Sequence, residues 1–455
     1  MKRTVIFFNA TRRTGHSLSV LKILSVCLLA SLFFLPHPAE AKVYINIDSP
    51  TIQKFPIAIT DFRNIGKSSD RENLSIWFPD QLSKMLILTN YFDILDKKSF
   101  LEPPGEGGLT SGTIRFSDWS SIGAELLVKG GYQFNGRELV GEFMLFDVVL
   151  GKLITGKKYT GTLENRREMV LKFANEIFLA LTGEKGIFDT KIAFAAKRGK
   201  ISDLYTIDFD GSGLKRLTDL KALTLLPQWS PDGLQIAFTS YRSGNPDLYL
   251  IGSQGGRERR ISSYRGLNIA GGWAADGRSL LVTSSKNGKQ EIFRFDLKGN
   301  AMTPLTRDSS ISVSPSWSPD GSRIVFTSDR EGSPQIYMMD ADGSNVRRVT
   351  FDGKYNTSPR WSPKGDRIAF ESLRGGTFQI MTMGVDGQNI VQLTSEGRNE
   401  SPSWSPDGRH LVFVSTKRGK SRVCIINSNG STMRVLHEGA DGYLSPHWSP
   451  HLNFN

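Results

Sequence analysis

From residue 191 onward, apolar residues fall into short runs separated by glycine-rich polar turns, and the whole arrangement recurs. One unit, from Ser314, reads SPSWSPDGSRIVFTSDREGSPQIYMMDADGSNVRRVT; the next, from Ser358, reads SPRWSPKGDRIAFESLRGGTFQIMTMGVDGQNIVQLT. Each carries four runs (SPSW, RIVFTS, QIYMMD, VRRVT in the first), joined by Asp-Gly, Glu-Gly or Gly-Gly pairs that supply the φ > 0 positions of tight turns. The leading tryptophans are Trp229, Trp273, Trp317, Trp361, Trp404 and Trp448, spaced by 44, 44, 44, 43 and 44 residues. Four strands in a period of this length make a propeller blade. Six units predict a six-bladed β-propeller over residues 191–455.

The register of the first and last units predicts how the ring closes. Lys191-Ile192-Ala193-Phe194 matches the second run of the repeat with no first run before it, and the chain ends shortly after an orphan first run, Ser445 to Pro450. Pairing the two makes one blade from both ends and leaves no open sheet edge. The Trp-Ser-Pro run is expected innermost.

Ahead of the repeats the periodicity changes. Residues 42–183 predict an α/β domain of helices packed on a mixed sheet. Strands are expected at Pro56–Thr60, Tyr91–Leu95, Glu125–Lys129, Glu138–Asp147 and Lys157–Leu163. Leu74 to Leu88 carries apolar residues at helical spacing, with a kink or late start at Pro79. A short helix is expected at Ser117–Ile122 and a longer one at Arg167–Leu181, ended by Gly183. Gly130-Gly131 reads as a strand-end turn. Residues 184–190 form a linker short enough to keep the two domains in contact.

The first 41 residues change the picture of where the chain works. A basic stretch (Lys2, Arg3, Arg12, Arg13, Lys22) precedes the apolar run Ile23 to Leu35 and then Ala39-Glu40-Ala41. At 13 residues that run falls well short of the roughly 20 that span a bilayer. It predicts a signal peptide cleaved after Ala41 and an exported mature chain. Cys424 is then the one cysteine left, which excludes an intramolecular disulfide. The leader holds five basic residues and one acidic, +4 of the net +12, leaving +8 spread through the turns (Arg242, Arg330, Arg374, Lys417-Arg418). No aromatic-interleaved basic patch of the nucleic-acid type is present.

Candidate chemistry is sparse. The recurrent Asp-Gly pairs (Asp232-Gly233, Asp276-Gly277, Asp320-Gly321, Asp407-Gly408) read as turn formers, and the tryptophans as blade-packing core. The mature histidines, His410, His437, His447 and His451, lack metal-ligand spacing, and no Gly-x-Ser-x-Gly elbow exists. The reading is therefore of no catalytic centre, no cofactor and no metal. What varies between blades is the segment entering each Trp, expected to surround one mouth of the channel as a partner-binding surface. Its candidates are Gln228, Asn268, Ala270, Val313, Ser316, Asn356, Thr357, Arg360, Asn399, Glu400, Tyr443 and His447. Blade 2 departs most, with Gly271-Gly272-Trp273-Ala274-Ala275 in place of the prolines.

Together the leader, the junction Leu181-Thr182-Gly183-Glu184-Lys185-Gly186-Ile187-Phe188-Asp189-Thr190-Lys191, the six WSPDG-type units and the ending at Trp448-Ser449-Pro450 resemble the TolB family of periplasmic propeller proteins. The resemblance implies a non-catalytic, monomeric component of the Tol–Pal system, working in cell division and outer-membrane integrity. It would bridge TolA of the inner-membrane complex to the peptidoglycan-associated lipoprotein Pal. It also implies Pal docking at the channel mouth, and TolA binding through an arm at Lys42, Val43, Tyr44, Ile45, Asn46, Ile47 and Asp48. Two other readings stay open from the residues. One is an exported propeller enzyme, a polysaccharide lyase or hydrolase, with His447, Arg360 and Glu400 as its loose candidates. The other is a propeller scaffold for a different envelope or peptidoglycan-associated partner.

Overall fold

The computed structural model describes residues 54–452 other than 68 and 71. The leader and the arm at Lys42 to Asp48 lie outside the described residues.

The N-terminal part is a mixed sheet of β1 (Phe55–Ile59), β2 (Arg63–Asn64), β3 (Phe92–Ile94), β4 (Leu126–Asn135), β5 (Glu138–Asp147) and β6 (Lys152–Gly161), in the order β3-β1-β4-β5-β6 with β2 beside β4. Pairs involving β1 and β2 are parallel; β4-β5-β6 is an antiparallel meander. Helices α1 (Leu74–Ile87) and α3 (Arg166–Thr182) pack against each other, and Phe62, Phe78, Tyr132, Phe143 and Phe173 join them to the sheet in edge-to-face and stacked pairs. A separate cluster forms around Trp119 of α2 (Phe116–Ser121), with Ala58, Leu127 and Phe146.

Two expectations are corrected here. Pro79 does not mark a late start: α1 begins five residues before it, at Leu74. A proline at this position leaves the Ser75 carbonyl without its helical donor, and Phe62 N–H supplies the bond instead at 2.8 Å. Gly130-Gly131 lies inside β4, which runs on to Asn135 and is not turned there. A Cβ on Gly130 would stand 2.3 Å from the Phe62 ring. These glycines therefore serve close packing of Phe62, Ile65 and Leu109 on the sheet. At α3 the left-handed Gly183 (φ 74°) closes the helix by donating to Leu179 O at 3.0 Å, as its position predicts.

The C-terminal part is a six-bladed β-propeller of four-stranded antiparallel sheets. Blade 1 is Thr224–Trp229, Gln235–Ser240, Asp247–Gly252 and Arg259–Ser262, and blades 2 to 5 repeat it. Blade 6 joins the two ends: Gly442–Trp448 pairs antiparallel with Lys191–Arg198, setting Trp448 opposite Ile192, and reciprocal bonds link Lys191 and Ser449 at 2.8 and 2.9 Å. The first strands of successive blades touch around a closed ring, so the Trp-Ser-Pro strand is innermost. In the turn after it the Asp side chain caps neighbouring groups (Asp232 accepts from Ser230 Oγ at 2.5 Å and Leu234 N–H at 2.9 Å) and the Gly adopts φ of 67–77° in blades 1 to 5. Those carboxylates are turn formers.

The two parts meet through side chains. Phe188 bridges Phe178 of α3 and Phe209 of blade 6, with ring centroids 5.3 and 5.4 Å apart. Arg167 of α3 reaches Asp208 and Asp210, both at 2.8 Å. Glu184 pairs with Arg409 at 2.6 Å and Lys364 at 3.7 Å, in the turns of blades 5 and 4. Trp448 Nε1 donates to Thr190 Oγ1 at 2.9 Å.

Candidate partner-binding site

Each inner strand carries a β-bulge just before its tryptophan. In five blades the residue three before the Trp is left-handed (Leu226, Ser314, Ser358, Ser401 and Ser445, φ 49–59°), followed by proline. Blade 2 solves the problem differently. Its register shift falls one residue later, and Gly271-Gly272 occupy it without a left-handed turn at Ala270. A Cβ at Gly271 would meet Leu281 O at 2.8 Å. The divergence of this blade therefore has a backbone cause.

The bulge turns successive side chains to different levels, and the twelve expected residues do not form one ring. Gln228, Asn268, Ala270, Asn356, Asn399 and Tyr443 are buried. The three asparagines bond the preceding loop: Asn356 Nδ2, for example, donates to Gln335 Oε1 at 2.7 Å and Asp352 O at 2.8 Å. The asparagines tie each blade to the one before it, and all six side chains are buried, which removes them from an exposed docking surface and corrects the expectation for them. Sequence alone ranks a variable polar residue as a recognition residue, because it does not show the loop carbonyls waiting for an amide donor.

Val313, Thr357 and Glu400, four residues before the Trp, are half-buried, as are Leu225, Ile269 and Leu444 at the same position in the other blades. These six are four aliphatic side chains with one hydroxyl and one carboxylate, the two polar ones in adjacent blades 4 and 5. Glu400 is gripped by Arg398 at 2.6 and 2.7 Å. Leu225, Ile269 and Leu444 were not among the candidates, although the repeat shows their position once one level of the strand is separated from the next.

Ser316, Arg360 and His447, immediately before the Trp, belong to the other end of the inner strands. There they line a cavity of about 330 Å³ with all six tryptophans and prolines 231, 319, 363, 406 and 450. The same position stitches adjacent blades: Ser316 Oγ accepts from Trp361 N–H at 3.2 Å, Ser403 Oγ from Trp448 N–H at 3.0 Å, and His447 Nδ1 from Trp229 N–H at 3.3 Å. Burial, with the Arg360 charge adding to it, pushes the His447 pKa down to about 3, so the ring is neutral with its proton on Nε2. His447, Arg360 and Glu400 thus do not converge on one point. Trp273 and Trp317 are half-buried at this cavity while the other four are buried, so two of the six rings are more than core.

One further residue escaped notice. In the second strand, Thr239 accepts from Ala270 N–H of the next blade at 3.3 Å and Thr327 from Ser358 N–H at 3.2 Å. Blade 4 has Glu371 there, accepting from Ser401 N–H at 2.7 Å. Its signal was visible as RIAFES against RIVFTS. Burial pushes this carboxyl up to about 7, with Glu400 adding to the rise; Ser401, Ser358 and Arg360 oppose it.

Known proteins share this architecture. The profile of the TolB beta propeller domain matches residues 178–452, more than half of the chain. The chain belongs to the TolB family. The profile of the TolB amino-terminal domain matches residues 43–154. A Tol-Pal system protein TolB from Syntrophus aciditrophicus is 45% identical over 222 residues, 48% of this chain and 49% of the relative. Another, from Desulfosudis oleivorans, is 38% identical over 210 residues, 46% and 48% of the two chains. The chain spans about half the length of the curated relatives it matches. The crystal structure of TolB from Acinetobacter baumannii aligns with a TM-score of 0.78 at 28% identity, covering 88% of this chain and 97% of that one.

Among the described residues no helix is long and apolar enough to cross a membrane. Nor do three or more His, Cys, Asp or Glu side chains gather to hold a metal ion among them. Cys424 is buried, and burial pushes its thiol up to about 11, so it stays a packed neutral group.

Proposed function

We propose that the protein is a non-catalytic periplasmic component of the Tol–Pal system that docks Pal on its propeller and links it to TolA. In this role it would support outer-membrane invagination at division and envelope integrity. The observation that carries this reading is the ring at Leu225, Ile269, Val313, Thr357, Glu400 and Leu444. Every blade holds this position half-buried on a stitched inner strand, and the ring is aliphatic except at Thr357 and Glu400, which give it one polar side. A rigid frame with such a rim recognises one shaped surface at little ordering cost. TolA binding is assigned to the arm Lys42 to Asp48.

Calorimetric titration of the chain from Lys42 with the soluble domain of Pal from the same organism tests the proposal. One-to-one binding weakened ten-fold or more by Thr357→Lys or Glu400→Lys is expected. Absence of binding, or equal affinity in these variants, would remove the assignment.

A further inference from the structure

The cavity at the Trp-Ser-Pro end lies at the other end of the inner strands from the proposed Pal ring, and its wall chemistry is one-sided. Tryptophan and proline dominate the lining, and no aspartate or glutamate is part of it. Arg360 is the one fully charged residue among the lining residues. Its guanidinium makes no hydrogen bond or ion pair among the described residues. Glu371, the acid that acts on it through space, is engaged by Ser401 N–H. His447 spends Nδ1 on Trp229 N–H, which leaves its Nε2–H as a second donor. The indole N–H groups of Trp229, Trp317 and Trp361 lack acceptors but are buried away from the cavity surface, and those of Trp273, Trp404 and Trp448 are bonded, so the tryptophans present only their rings to an occupant. The wall therefore offers two unspent donor groups, the Arg360 guanidinium and His447 Nε2–H, among aromatic rings, prolines and serine hydroxyls, with no carboxylate to neutralise the charge.

We propose that this cavity is a second docking site, and that it takes a carboxylate side chain of an extended acidic peptide segment flanked by apolar residues. A half-buried, unpaired guanidinium beside a neutral imidazole N–H offers one positive charge and a forked donor set, which suits a monocarboxylate. A phosphate dianion would call for more than one cation. Aromatic and proline walls suit the apolar neighbours of an extended peptide. About 330 Å³ admits a few side chains, not a folded domain. Blade 2 opens the way in: Gly272 and Ala275 replace the serine and proline found at those positions in blade 3, leaving Trp273 and Trp317 half-buried. Arg409 and Lys364 at the rim bind Glu184, so an occupant would lie beside the chain that joins the two parts of the protein.

The test uses acetyl-Leu-Glu-Leu-amide and its glutamine counterpart, titrated into the chain from Lys42 and followed by calorimetry and tryptophan fluorescence. Saturable binding of the glutamate peptide, at least ten-fold tighter than the glutamine peptide, is expected, with loss in Arg360→Gln and partial retention in Arg360→Lys. Gly272→Leu gives an independent arm, since a Cβ there meets nothing closer than 3.6 Å and a longer side chain would fill the cavity without touching Arg360. It too should abolish binding. Equal binding of both peptides, or binding retained in Arg360→Gln and Gly272→Leu, would overturn the proposal. Pal titration of the same variants separates the two sites: the proposed Pal ring should be untouched by Gly272→Leu.

Discussion

Glu371 is the residue whose perturbation reads the channel most directly. Its carboxyl is buried where blades 1 to 3 place threonine and blades 5 and 6 place Val414 and Ala195, and its pKa is pushed from an ordinary 4.5 to about 7, chiefly by burial. At about 1.4 kcal/mol per pH unit, that displacement corresponds to about 3 kcal/mol. The folded chain holds this proton more tightly than the unfolded chain. The contribution is thus fully present below about pH 4.5 and is lost as pH rises through about 7. Glu371→Gln keeps an acceptor for Ser401 N–H but never ionises. Urea unfolding of both proteins at intervals from pH 4.5 to 8.5 should show the variant gaining on the parent by about 3 kcal/mol across the range. A stability difference that stays constant with pH would refute the reasoning, because the carboxyl would then be titrating alike in the folded and unfolded chains.

Two other substitutions probe how the parts are held. Gly130→Ala places a methyl 2.3 Å from the Phe62 ring in a core where Phe62, Phe78 and Phe143 interlock, and should cost about 1–3 kcal/mol in denaturant unfolding. Unchanged stability would mean that the Phe62 loop moves freely. Arg167→Ala strips Asp208 and Asp210 of their shared guanidinium and should cost about 1–3 kcal/mol at neutral pH. Burial raises the Asp210 carboxyl, but Arg167 and Ser212 overcome it and hold the pKa below the ordinary 3.8. That stabilisation is present above pH 3.8 and lost below it, so the deficit of the variant should shrink in acid. Limited proteolysis between residues 183 and 190 should also quicken, and an unaltered cleavage rate would show that the Phe188, Glu184 and Thr190 contacts secure the junction without Arg167.

Repetition made the propeller legible. Six copies of one pattern fixed blade number, strand order and ring closure, because turn chemistry and hydrophobic period are local properties repeated often enough to outweigh any single ambiguity. The α/β part was readable in the type and order of its main elements, but β2 was missed, β4 runs six residues past its expected end and β6 begins five residues before its expected start. It failed where a distant group decided the outcome: Phe62 N–H satisfied the carbonyl that Pro79 orphaned, and the same Phe62 ring required glycine inside β4.

The candidate site divided along the same line. Sequence alone located the segments that enter each tryptophan, since they vary on a constant frame. Only the tertiary structure sorted their residues. The residues four before and one before each tryptophan flank the bulge at opposite ends of the strand, and whether an asparagine faces solvent or a loop carbonyl depends on residues some 20 positions away. The separation of Glu400 from Arg360, the unspent donors around His447 and the pairing of Glu371 with the next blade all arise from contacts between blades. A repeat read one unit at a time contains no information about what its neighbour presents, and that is the physical reason the frame was written in the sequence while the site was not.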